Sequence, residues 1–345
     1  MRIRARGEDI RRYILENVGK NSANISKKTA EHFGITRQAI SKHLQRLISE
    51  HALTQAGNTR NRSYKLASLS QSIKRFLITP ELAEDVVWRN DVAPILGELP
   101  ENVRDIWAYG FTEMFNNAID HSEGSEIVIR ITRTAVDTTM LLIDNGIGIF
   151  KKIQTALKLL DESHAILELA KGKLTTDPKN HTGEGIFYTS RMFDDFAILS
   201  GGIYFSHTFG KPEDWVMEST PSTGTTVWMK LNNHTARRKK KIFDEFSSRD
   251  NYGFNKTVIP VRLAQYENDK LISRSQAKRV LARVELFKTV IFDFDGVFTI
   301  GQAFADEIFR VFSQAHPEMR LIELHANSEV GRMIKRARSG QMPTE

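Results

Sequence analysis

Three short motifs, each at a place where chain direction and chemistry are both constrained, limit this sequence most. The first is Glu113-Met-Phe-Asn-Asn117-Ala-Ile-Asp120-His121 in a helical stretch. Positions i, i+4 and i+7 share a helix face, so Glu113, Asn117 and Asp120 point the same way. An Asn117 amide oxygen is the hard ligand that Mg²⁺ accepts, and Glu113, one turn earlier, can orient or deprotonate a water. The second motif is an apolar strand ending in a carboxylate and two glycines, Met140-Leu-Leu-Ile-Asp144-Asn-Gly146-Ile-Gly148. A carboxylate there can accept a hydrogen bond from an exocyclic amino group, and the glycines let backbone approach it. The third, Thr182-Gly183-Glu184-Gly185-Ile186, opens another helix, where free N–H groups form an anion cradle. Gly224-Thr225-Thr226 follows, just before a last strand.

Taken in order, from about Trp107 to Leu231, these motifs resemble the ATP-binding fold of type II topoisomerases, heat-shock chaperones, mismatch-repair proteins and histidine kinases, the GHKL type. The resemblance implies ATP and Mg²⁺ as cofactors, with Asn117 the Mg²⁺ ligand and Asp144 the adenine anchor. It makes Gly183 and Gly185 the phosphate contacts, with Thr182, Glu184 and Ile186 beside them, and puts Thr225 in the adenine water network. Asp120, Gly146 and Gly148 belong to the same cofactor pocket. Residues 150–182 would form a mobile lid whose Lys171-Gly172-Lys173 and Thr175-Thr176 meet the phosphates. Glu113 stands where hydrolytic members keep their catalytic base, so slow ATP hydrolysis is expected. No histidine occurs between His51 and His121, so the chain lacks a phosphoacceptor where histidine kinases carry one.

The charge is uneven. Of 345 residues with a net charge of +7, the first 66 hold fourteen Lys and Arg against five Asp and Glu. The remainder is slightly acidic, so the head is where a polyanion would bind. Its apolar periodicity predicts three helices, opened at Gly7-Glu8-Asp9, at Ile25-Ser26 and by a Thr36 cap, then a hairpin turning at Gly57-Asn58. The third helix carries Arg37, Gln38, Ser41 and Lys42 in its N-terminal half, the half that enters a major groove. The hairpin carries Arg60, Arg62 and Lys65. This segment resembles the winged helix-turn-helix heads of bacterial transcription regulators, which implies double-stranded DNA as partner.

The C-terminal residues read strand, helix, strand, helix, strand, helix, with strands at Thr257–Val261, Thr289–Phe292 and Leu321–Leu324. Asp293-Phe-Asp295-Gly looks like the opening of a haloacid-dehalogenase phosphatase, but too little chain follows to build one. The strand KTVIFDFDGV, the turn FTIGQAF and the helix ADEIFRVFSQ resemble instead a STAS-like module, which implies a protein partner. Thr299 is the nearest hydroxyl to the position that carries a phosphorylated serine in such modules, and Gly301-Gln302 departs from that pattern. Asp293 and Asp295 then read as strand-end capping.

The expected architecture is α/β (α+β): winged helix-turn-helix (1–66), mostly helical connector (67–106), GHKL sandwich (107–236), basic and polar linker (237–253) and STAS-like domain (254–345). The absence of cysteine excludes disulfides and thiolate metal sites. No long apolar run spans a membrane, and a cytoplasmic location with homodimeric DNA binding is expected. The functional expectation is an ATP-binding DNA-binding regulator. Its rivals are a protein kinase acting on a STAS domain and a DNA-stimulated ATPase.

Overall fold

The computed structural model describes residues 2–58, 61–174, 183–211, 214–220, 222–247, 253–265 and 270–340. The head comprises α1 (Arg2–Val18), α2 (Ile25–Phe33), α3 (Arg37–Ser49) and a hairpin of β1 (Leu53–Ala56) and β2 (Ser63–Leu66). Ile10, Ile14 and Val18 of α1 meet Ile25, Ile40, Leu44, Leu47 and Tyr64 in a small core of their own. Gly34 ends α2 in the left-handed region, and the Thr36 hydroxyl caps α3 by accepting the Ala39 N–H at 3.2 Å. Helix α1 begins before the expected Gly7 opening and runs through that glycine. Its early turns are tied down by Arg6, whose guanidinium donates to the Phe33 carbonyl at 3.0 Å.

The stretch expected to be a mostly helical connector begins with a strand. Strand β3 (Ser70–Leu77) pairs antiparallel with β4 (Glu126–Arg133), from Ser70 opposite Arg133 to Leu77 opposite Glu126. Its inward side is mostly polar, with Phe76 alone packing edge-on to Phe115 at 5.9 Å, so its own composition did not announce it. Two short helices follow, α4 (Glu84–Val87) and α5 (Ala93–Leu96), joined by a π-turn.

The long helix α6 (Glu101–His121) then packs Val103, Ile106, Trp107, Phe111, Met114, Phe115 and Ala118 against the sheet. After β4 come β5 (Asp137–Asp144), α7 (Ile149–Leu157), α8 (Ser163–Lys171) and α9 (Gly185–Met192), then β6 (Asp195–Ser200), β7 (Ile203–Thr208), β8 (Asp214–Glu218) and β9 (Thr225–Asn232). Seven strands form one sheet in the order β3-β4-β5-β9-β6-β7-β8, with every adjacent pair antiparallel. Alternate residues of β5 and β9 are buried, so one face of this sheet carries the core.

The expected basic linker is partly a packed element. Helix α10 (Lys239–Phe246) buries Ile242 and Phe246, and Arg237 is held by Asp194 at 2.8 Å with its guanidinium over the Phe209 ring. The lysines stay outside while the interleaved apolar residues dock, which a charge count alone does not reveal.

The C-terminal unit is a three-stranded parallel sheet, β10 (Lys256–Pro260), β11 (Thr289–Asp293) and β12 (Arg320–Leu324), with β11 central. Its helices are α11 (Arg274–Leu281), α12 (Gln302–Asp306), α13 (Ser313–Ala315) and α14 (Ser328–Ser339). The strand-end reading of Asp293 holds. Its Oδ1 accepts the Asp295 N–H at 3.0 Å and also pairs with His325 Nδ1 at 2.9 Å, a partner the sequence did not suggest. One apolar core runs without a break from Val87 through the seven-stranded sheet to Ala337 in α14. The fold is thus mixed α/β: among the described residues a seven-stranded antiparallel sheet and a three-stranded parallel sheet stand beside the two-stranded antiparallel hairpin of the head. Among the described residues no helix is long and apolar enough to cross a membrane.

Candidate functional site

Helix α6, the ends of β5 and β9, and the starts of α7 and α9 enclose a cavity of about 290 Å³. Glu113, Asn117, Asp144, Gly183, Gly185, Ile186 and Thr225 all line it. Its apolar walls come from Met114, Leu142, Ile153, Leu169, Leu174 and Val227. A mostly apolar cleft with a few convergent polar groups is the usual form of a small-molecule site.

Asp144 is the more buried of the two carboxylates that line this cavity. It continues the buried side of β5, and its Oδ1 accepts N–H groups from Gly146 at 2.9 Å and Thr225 at 3.2 Å. Burial raises its pKa above the usual aspartate value, although those hydrogen bonds pull the other way. The Thr225 hydroxyl in turn accepts the Ile149 N–H at 3.1 Å, which ties the start of β9 to the start of α7. Gly146 and Gly148 stand behind the lining rather than in it. A Cβ at Gly146 would lie 2.0 Å from the Ser122 carbonyl oxygen, so this glycine lets β5 close on the end of α6.

At the other end, Gly185 is the first residue of α9 and lies against the Glu113 carboxylate. Gly183 has a φ of +71°, and a side chain there would run into the Leu174 backbone at 2.5 Å. The Leu174 N–H donates to the Gly183 carbonyl at 3.0 Å. Glu184 occupies the N-cap position of α9, half-buried and without a side-chain capping hydrogen bond, and burial raises its carboxyl pKa while Lys173 lowers it. Asp120 is exposed near the end of α6 and does not line the cavity. Thr182, Thr175 and Thr176 lie outside the described residues.

Two residues that the motifs did not single out belong to this site. Tyr109, one turn before Glu113, is hydrogen-bonded to it. Burial, then the negative charge of Glu113 and Glu184, pushes its phenol well above the ordinary tyrosine range, so it stays a proton donor. Lys152 lines the cavity and pairs with Glu123 at 2.8 Å. Helical spacing from Glu113 would have found the first, and the turn after Gly148 the second.

Of the expected lid, residues 175–182 lie outside the described residues, and α8 is packed on every side. From His164 to Lys171 every residue of α8 is buried, because the helix is clasped between the cavity and the C-terminal unit. Lys171 points away from the cavity: its ammonium donates to Glu168 at 2.7 Å and to the carbonyls of Arg279 and Ala282 at 3.0 and 2.8 Å. Lys173 donates to the Leu286 carbonyl at 2.8 Å and sits over the Phe287 ring. Gly172 meets the Phe254 and Phe187 rings and is outside the cavity lining. These three residues serve the contact between units.

On the head, Arg37, Gln38 and Lys42 are exposed along the first turns of α3, with Ser41 half-buried beside them. Arg62 is half-buried in the hairpin, Lys65 is exposed, and Arg60 lies outside the described residues.

No curated protein matches this chain. The family model described as a STAS-like domain of unknown function (DUF4325) matches residues 276–330, which span α11 through the start of α14. The C-terminal unit, a parallel sheet flanked by helices, is STAS-like.

Proposed function

We propose that this chain is an ATP-binding, DNA-binding regulator in which Mg-ATP at a GHKL-type site controls DNA binding or the contacts of the STAS-like unit. The observation that carries the reading is the convergence of Glu113, Asn117, Asp144, Gly183, Gly185 and Thr225 on one cavity from four separate elements. The donor set fits the cofactor. Asp144 offers a buried carboxylate to the adenine amino group, and Asn117 offers a neutral amide oxygen of the kind Mg²⁺ accepts. Gly183 and Gly185 bring no side chains of their own to the start of α9, which leaves room for phosphate oxygens near its N–H groups and helix dipole. A bound Mg²⁺ would draw charge from the phosphates and open phosphorus to attack.

The chain's own contribution is then positional. Glu113, held by the Tyr109 hydroxyl, orients a water and takes its proton, which supports slow hydrolysis. Helix α8 supplies Leu169 to the cavity and Lys171 to the STAS-like unit, so occupancy and packing share one element. A ligand shifts such an equilibrium only through its differential affinity for the two states. The head contributes a winged helix-turn-helix reading, supported by a basic, exposed N-terminal half of α3 followed by a two-stranded hairpin.

The test is ATP binding and turnover for the wild type, Asn117→Ala and Glu113→Ala, with and without duplex DNA. Binding that Asn117→Ala abolishes, and turnover that Glu113→Ala removes without loss of binding, are the expected results. Properly folded protein that binds no ATP would overturn the reading.

A further inference from the structure

Arg283 belongs to the STAS-like unit, in the short turn after α11, yet it reaches the backbone next to the cavity. It has a φ of +62°, a conformation uncommon outside glycine and held only where surroundings fix it. One guanidinium nitrogen donates to Glu168 of α8 at 3.0 Å, and another donates to the carbonyl of Lys173. Lys173 is followed by Leu174, which lines the cavity and whose N–H holds the Gly183 carbonyl. Gly183 leads through Glu184 into the start of α9. Arg283 is therefore one residue and one hydrogen bond from the loop that opens the expected phosphate cradle.

The neighbouring contacts fix the same segment from the same side. Lys171 is anchored to carbonyls of Arg279 and Ala282, and the Thr257 hydroxyl donates to the Lys171 carbonyl at 2.6 Å. Lys171 and Lys173 are thus tied to the STAS-like unit, and the next residue, Leu174, lines the cavity. The arginine fork is planar and its charge permanent, so its two ends hold a carboxylate and a carbonyl in one fixed geometry.

We infer that Arg283 is a positioning residue for the phosphate end of the cavity, so that the STAS-like unit completes the nucleotide site from outside it. This rests on the nucleotide reading proposed above. Linkage is reciprocal: a protein that lifts the STAS-like unit from α8 weakens nucleotide binding, and a bound nucleotide resists that removal by the same factor.

The full-length chain tests this with Arg283→Ala, Arg283→Lys and the charge-balanced pair Glu168→Gln/Arg283→Met. Affinities for Mg-ATP, Mg-ADP and adenosine are measured by calorimetry, and hydrogen exchange is read on a peptide containing Leu174. Loss of Arg283 should weaken both phosphate-bearing ligands about tenfold, leave adenosine unchanged and speed Leu174 exchange, with Arg283→Lys between the two. Unchanged ATP and ADP affinity in folded variants, or an equal loss for adenosine, overturns the inference. If the wild type binds no nucleotide, the nucleotide reading falls by itself. Leu174 exchange in the charge-balanced variant then still decides, because unchanged protection means that Arg283 does not hold this segment.

Discussion

A Cβ added at Gly185 would stand 2.0 Å from Glu113 Oε2, so the proposed base and the first residue of the proposed phosphate cradle occupy one space. Gly185→Ala must push the carboxylate aside. The backbone of α9 accepts alanine readily, and the displaced atom is the far end of a flexible side chain. Thermal stability should therefore change little, while turnover falls about 100-fold, the scale expected when a reacting group is misplaced by an ångström. Steady-state ATPase assays beside a thermal melt read both. A variant that unfolds early, or one that turns over normally, would remove the argument that this contact is functional.

Asp144 gives a pH dependence of defined sign. Burial raises its pKa above the ordinary 3.8, against hydrogen bonds from Gly146 and Thr225. A carboxyl whose folded pKa is raised contributes stability fully below the ordinary value and loses it as pH climbs through the raised one. Asp144→Asn should flatten that slope in thermal melts taken across the interval. Adenosine affinity should move the opposite way, since the amino group of adenine needs the ionised carboxylate. It should drop as pH falls through the same raised value. Affinity that is level across that interval would leave Asp144 a structural residue only.

The cavity was legible because its polar residues sit at fixed offsets within short local elements. Glu113 and Asn117 share a helix face by spacing alone, Asp144 follows an alternating strand, and Gly185 opens a helix. Lys171 and Lys173 were misread for the opposite reason. Their partners lie far along the chain, the Arg279 carbonyl 108 positions away and the Leu286 carbonyl 113, and no local pattern encodes such contacts. Strand β3 was missed because it borrows its pairing from β4 and brings few apolar residues of its own. The alternation of strands and helices in the C-terminal unit was legible, since each strand is a short local apolar run set between helical stretches.

In the proposed DNA-binding reading, base reading and phosphate binding fall to different residues of α3. Arg37 and Gln38 are exposed at the start of α3, whereas Lys42 lies a turn further along. Arg37→Ala should cost about 1–3 kcal/mol on a selected duplex and little on random sequence. Lys42→Ala should weaken both alike and reduce the salt dependence by about one counterion. Fluorescence anisotropy over a range of salt concentrations measures the two effects. An equal loss for Arg37→Ala on every sequence would reassign it to the phosphates.

Lys171 tests what α8 does for the assembly of units. Its ammonium is almost wholly buried, and burial pushes its pKa below the lysine range although Glu168 pulls it back. Truncating one member of a buried ion pair leaves the other's charge uncompensated, typically at a cost of about 3–5 kcal/mol. Here Arg283 still faces Glu168 at 3.0 Å, so Lys171→Met should fall toward the lower end of that range. Glu168→Gln should cost more, since it strands both Lys171 and Arg283. Combining Lys171→Met with Glu168→Gln should cost less than the two single effects added together, the mark of coupled residues. Urea unfolding of the full chain, followed by hydrogen exchange in α8 and β10, measures each term. Strict additivity would show that the two side chains are buried side by side without stabilising one another.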